Sequence, residues 1–152
     1  MSMVSHYPDR PKLVTAMTNL AVEELQHFRE VVKIITSRGL IMSQDEKDPY
    51  VGQLRRHLRA ESSEYMLDRL LLGSVIEARG EERFRLIADG LKDAELQRFY
   101  QAIANSEAGH HQLFLDLAHE YFSGHEVRTR LQDWVEIEAS TLAELPIRSR
   151  LH

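Results

Sequence analysis

The chain contains no cysteine. Disulfides, zinc–thiolate sites, iron–sulfur clusters and cysteine nucleophiles are thereby excluded, and any bound metal must be held by carboxylate and imidazole. Glycine and proline are scarce, at 7 and 4 of 152 residues, so helices can run long without interruption. No apolar run approaches the ~20 residues needed to cross a bilayer, and the opening stretch from Met1 to Pro11 is too polar for a signal peptide. A cytoplasmic location is the default expectation. The formal charge of −5 gives no general attraction to nucleic acid, so RNA binding would require a local basic patch. With 43% hydrophobic and 28% charged residues, the composition fits one helical domain over residues 1–152 with a single core.

Start and stop signals divide the chain into helices. Asp9 and Pro11 open a helix that Gly39 ends. A polar stretch from Ser43 to Asp48 leads to Asp48-Pro49, which opens a short helix carrying Arg55, Arg56, His57 and Arg59. After a break near Ala60 to Ser63, a third helix is expected from about Ser63 to Ala88, ending at Gly90. Asp93 is placed to cap a fourth helix reaching Phe122 before Gly124, and an amphipathic fifth spans His125 to Leu145. Nothing reads as a strand. Short connections favour antiparallel packing, which gives an all-α antiparallel helix bundle.

Two of these helices carry the same unusual feature. Glu24/His27 and Glu107/His110 are both Glu-x-x-His, and with sixteen Glu and eight His roughly one such spacing arises by chance. Their register is more informative than the motif. Leu13, Met17, Leu20, Glu24, His27, Val31 and Ile34 fall on one helical face, so the first pair is expected at core positions. Leu96, Tyr100, Ile103, Glu107, His110, Phe114, Leu117 and Tyr121 repeat the arrangement almost position for position. A third stripe, Met66, Leu70, Gly73, Glu77, Gly80, Phe84 and Ile87, again places one carboxylate among apolar residues.

Residues three apart on a helix lie side by side, so each pair can offer one oxygen and one nitrogen to a metal. In ferritin-like di-iron proteins, two helices supply Glu-x-x-His and two others supply a Glu each. The expected ligands are therefore Glu24 and His27 for one iron and Glu107 and His110 for the other, with Glu77 bridging. Mixed carboxylate and imidazole ligands suit iron or manganese, and zinc also binds such sets. Taken singly, each of these residues also reads as a hydrogen-bonded core residue or the edge of a stripe. A second bridging Glu before Leu13 is absent; Glu138 is a conceivable substitute, but beside Val127, Leu131, Trp134 and Leu142 it reads as the edge of an amphipathic face. His111 reads as solvated or supporting, and His6, His57, His119, His125 and His152 read as surface. Gly73 and Gly80 imply either close helix approach or room for a substrate, and Tyr100, Phe114 and Tyr121 read as core aromatics.

Three blocks carry a family resemblance: Ala21-Val22-Glu23-Glu24-Leu25-Gln26-His27-Phe28, Ile76-Glu77-Ala78-Arg79-Gly80-Glu81-Glu82-Arg83-Phe84, and Ser106-Glu107-Ala108-Gly109-His110-His111. Together they resemble the transfer-RNA hydroxylase family that acts on 2-methylthio-isopentenyladenosine beside the anticodon, and the likeness runs from about Tyr7 to the end. The resemblance implies a ferritin-like fold, two iron ions held by Glu24, His27, Glu77, Glu107 and His110, dioxygen as co-substrate, and an external electron donor or reductase. It implies hydroxylation of a terminal methyl of the prenyl group. Family members carry a preceding helix with the remaining Glu; Met1-Ser-Met-Val-Ser-His-Tyr looks like its tail, and the expectation is that the true chain begins upstream. Neighbours of a missing helix would expose apolar faces, so self-association is expected for the chain as given.

For docking tRNA, Arg55, Arg56, His57 and Arg59 form the best candidate cluster, aided by Arg10 and Lys12; a solvated helix face is the alternative. Two other functions compete with the hydroxylase: a ferritin-like oxidase or iron-handling protein, and a catalytically silent helical interaction module.

Overall fold

A computed structural model describes residues 2–44 and 46–146. Met1, Asp45 and His152, which enter the expectations above, lie outside the described residues. All regular structure among the described residues is helical, and the chain gathers into two compact units, Met1–Lys47 and Asp48–His152.

The first unit holds α1 (Ser2–His6) and α2 (Pro11–Ser37). Met3 and Tyr7 are buried where α1 meets α2, and Leu13, Met17 and Leu20 are buried on α2. Pro11 occupies the first turn as expected, but Arg10 stands at the N-cap and no side chain caps the helix. At the other end Gly39 takes φ +71, which lets Leu40 N–H reach back to the Ile35 carbonyl and Gly39 N–H to that of Thr36. Any side chain would be strained there, which explains the glycine stop. The second half of the expected α2 stripe is not a core. Glu24 is exposed and Val31 is 37% exposed. Periodicity fixes the side of a helix on which a residue lies, not whether another element covers that side.

The second unit contains α3 (Pro49–Leu54), a 3-10 turn (Arg55–His57), α4 (Ser62–Gly90), α5 (Ala94–Tyr121) and α6 (Gly124–Glu144). Each α-helix of this unit starts on a side-chain acceptor for its orphan N–H groups. Asp48 accepts from Tyr50 N–H, Glu61 from Ser63 and Glu64, and Asp93 from Glu95 and Leu96. Ser123 forms a capping box with Glu126 and caps α6, whose first residue, Gly124, lies within one residue of the expected start.

Helices α4 and α5 form an antiparallel hairpin with fixed register. Gly73 faces Phe114 and Gly80 faces Glu107, a step of seven forward on α4 matched by seven backward on α5. A Cβ on Gly73 would lie 2.8 Å from two atoms of the Phe114 ring, so close helix approach accounts for that glycine. At Gly80 the nearest atom would be Glu107 Oε2 at 3.6 Å, an ordinary contact.

Two buried carboxylates tie α6 and the α3 region to this hairpin. Asp68 is fully buried and accepts from Arg59 N–H, Nε and Nη2, from Arg130 Nε at 2.7 Å and Nη2 at 3.0 Å, and from the Trp134 indole. Burial pushes its pKa up, but the hydrogen bonds from Arg130 and Arg59 outweigh burial and hold the carboxyl below its ordinary value. Glu138, 2% exposed, accepts Arg79 Nε and Nη2 at 2.8 Å each and the Tyr50 hydroxyl at 3.0 Å. The expected edge position for Glu138 is therefore corrected: it lies four residues after Trp134 on the buried face, where Arg79 neutralises it. Burial, followed by the Glu138 charge, raises the Tyr50 phenol well above its usual pKa, so this hydroxyl stays a donor.

Candidate metal centre

The antiparallel register brings Glu77 on α4 level with His110 on α5, and helical periodicity puts Glu107 one turn before His110. His110 Nδ1 stands 3.9 Å from Glu107 Oε2 and 4.0 Å from Glu77 Oε2. One ligand atom from each of the three residues falls within 4.8 Å of the others. These separations are too long for hydrogen bonds. They match atoms sharing an ion, because two ligands each about 2.1 Å from a metal lie roughly 3 to 4 Å apart. The side chains of His110, Glu107 and Glu77 are 5%, 9% and 18% exposed, an inward gradient of polar groups in an otherwise apolar stripe. Ile103, Phe114 and Leu117 are buried on the same face of α5. Two carboxylates and an imidazole converging in such a place would be costly without a cation, by several kcal/mol in order of magnitude. The donor set fits iron or manganese.

The outer side of His110 is held more loosely, with Ser106 Oγ 3.5 Å from Nε2. Its neighbour His111 belongs to the packing. His111 Nδ1 lies 2.8 Å from the Ser74 carbonyl, which can only accept, so Nδ1 carries the proton and donates to it. Ser74 Oγ is 2.9 Å from the same nitrogen. His111 thus ties α5 to α4. His6, His57, His119 and His125 are exposed, as expected.

In the first unit, Glu24 and His27 also form a pair within their own helix, with Glu24 Oε1 3.7 Å from His27 Nδ1. Glu24 is nearly half exposed, unlike Glu107.

The basic cluster divides. Arg55, Arg56 and His57 make up the 3-10 turn and are exposed. Arg59 Nε and Nη2 donate to Asp68 and Nη1 to Glu64, which makes this residue a structural clamp. Arg130 Nη2 donates to the His57 carbonyl, which fixes the turn on the same clamp. Asp68 and Ser74, both fully buried, are not singled out by the sequence. Their signal was positional: Asp68 lies three and four residues before Leu71 and Leu72 in a buried run. No helix among the described residues is long and apolar enough to cross a membrane.

The family model described as tRNA-(MS[2]IO[6]A)-hydroxylase (MiaE) matches residues 1–152. A tRNA 2-(methylsulfanyl)-N(6)-isopentenyladenosine(37) hydroxylase of Pseudomonas putida is 38% identical over 121 residues, 80% of this chain and 58% of that protein. The enzyme of the same name from Salmonella typhimurium is 31% identical over 141 residues, 93% of this chain and 52% of that protein. The chain therefore spans a little over half the length of these curated relatives. Among solved structures, protein 43 from Synechococcus, described as having aldehyde deformylating oxygenase activity, aligns with a TM-score of 0.90 at 31% identity, covering 99% of this chain and 74% of that one. The expected all-α, ferritin-like class is the class observed.

Proposed function

Because the chain belongs to the MiaE family of tRNA hydroxylases, we propose that it hydroxylates the prenyl side chain of 2-methylthio-isopentenyladenosine in tRNA, using two iron ions and dioxygen. The observation that carries this reading is the convergence of Glu77, Glu107 and His110 inside the α4–α5 hairpin. Glu77, Glu107 and His110 would hold iron in the second unit, and Glu24 and His27 would be iron ligands in the first; the matched register of the two Glu-x-x-His pairs in the sequence supports this ligand set.

Bound iron would supply activation of dioxygen: one oxygen atom enters a C–H bond of the terminal methyl, the other leaves as water, and an external donor provides two electrons. The protein's own groups supply position and exclusion. Glu107 and His110 are fixed by the α5 backbone one turn apart, and Glu77 by the hairpin register. Buried Ile103 and Phe114 flank the pair and keep water from the reacting carbon. Exposed Arg55 and Arg56 offer cationic donors to tRNA phosphates, and His57 a ring N–H, on a turn that Arg130 and Asp68 hold still. A cytoplasmic site of action fits this substrate.

The test is nucleoside mass analysis of tRNA carrying the prenylated base, after incubation with the iron-loaded chain, a chemical reductant and isotopically heavy dioxygen. Gain of one heavy oxygen atom in the modified nucleoside is expected. Oxidation of ferrous iron with no such gain would replace this reading with an iron-handling one.

A further inference from the structure

Phe84 and Tyr100 stack beside the metal ligands, at the end of the hairpin nearer the α4–α5 connection. Their ring centroids are 5.9 Å apart at 28°, and Phe99 meets Tyr100 edge-on at 5.4 Å and 71°. Phe84 continues the α4 face of Glu77 and Gly80, and Tyr100 the α5 face of Glu107, yet both rings are only half-buried. Gly80 lies between Phe84 and the site: its Cβ position is 3.6 Å from Glu107 Oε2 and 3.8 Å from Phe84 Cε2.

We propose that Phe84 and Tyr100 are the platform on which the prenylated adenine stacks, with its side chain running past Gly80 to the carboxylates. The proposal rests on the function given above and names how that substrate is held. Phe84 lies seven residues after Glu77 and Tyr100 seven before Glu107, so both rings are displaced about 10 Å along the hairpin, in the same direction, from the ligands they follow. A prenyl chain carries its terminal methyl about 5 Å from the exocyclic nitrogen, across four bonds of roughly 1.3–1.5 Å, and the purine ring adds about 3 Å more. A base on the platform therefore brings the methyl to the metal ligands, whereas a base stacked at the ligands would carry it past them. Unstacked RNA bases are taken up on aromatic side chains in this way. Exposed Lys92 and Arg98 lie at the same end, but so do Asp89 and Glu95, so stacking rather than net charge must supply the preference for the modified base.

The test measures binding of the metal-free chain to two anticodon stem-loop RNAs, one with 2-methylthio-isopentenyladenosine and one with plain adenosine at the same position. The wild-type chain should prefer the modified loop. Phe84→Leu and Tyr100→Leu should each lose about tenfold in affinity for the modified loop, equivalent to ~1.4 kcal/mol, with little change for the plain one. Phe84→Tyr and Tyr100→Phe, which keep a ring, should restore it. If the leucine exchanges reduce helical circular dichroism, Phe84→Trp decides: its emission should be quenched by the modified loop alone, and quenching by neither loop overturns the platform. A wild-type preference that survives both leucine exchanges also overturns the platform and leaves the tRNA reading standing. No wild-type preference at all overturns both.

Discussion

Glu77 and His110 come from different helices, yet the α4–α5 register sets their ligand atoms 4.0 Å apart, almost the distance that Glu107 keeps from the same His110 nitrogen within one helix. One nitrogen is thus nearly equidistant from two carboxylates, an arrangement that an ion satisfies better than a hydrogen bond does. His110→Ala and Glu107→Ala should each lower bound iron at least severalfold without loss of helical circular dichroism, as elemental analysis of the purified chain would register.

Asp68 is predicted to matter for stability. Removing one partner of a buried, hydrogen-bonded ion pair costs about 3–5 kcal/mol, so Asp68→Ala should lower the urea midpoint markedly. The pH dependence has a definite sign. A carboxyl whose folded pKa lies below its unfolded value of about 3.9 stabilises the fold above that value, and the contribution is lost as pH falls through the folded pKa. Urea denaturation across pH 2–6 should show a steeper acid loss in the wild-type chain than in Asp68→Asn.

The two stripe glycines should behave differently. Gly73→Ala drives a methyl into Phe114 at 2.8 Å and should destabilise by about 1–3 kcal/mol. Gly80→Ala meets only ordinary contacts and should be neutral or stabilising, by up to about 1 kcal/mol from helix propensity. Thermal denaturation of both variants measures the difference.

Reversal of Arg55 and Arg56 to Glu should weaken tRNA binding and flatten its salt dependence, by about two in the slope if each contacts one phosphate. Iron content should stay the same. Arg59→Ala should instead lower stability, because that guanidinium belongs to Asp68. Unchanged RNA affinity in the double reversal would remove the turn from the interface.

Much of this architecture was legible in the sequence because helices advertise themselves locally. Pro11, Asp48, Asp93 and Gly39 mark ends through backbone chemistry that needs no tertiary partner, and the second Glu-x-x-His lies buried as its stripe implies. What escaped depends on contacts far apart in sequence. Glu138 and Asp68 look like surface acids until Arg79, Arg59 and Arg130 are seen to neutralise them, and Arg59 looks like an RNA contact for the same reason. Glu24 shows the opposite error, since a residue can share a helical face with buried neighbours and still be exposed.

The central claim is that carboxylate and imidazole from this chain hold an iron centre, and anaerobic loading with ferrous iron tests it most directly, with metal content per chain compared between the wild type and Glu77→Ala. About two irons per chain, falling sharply in the variant, are expected. Iron at background level, or content indifferent to Glu77, would contradict it.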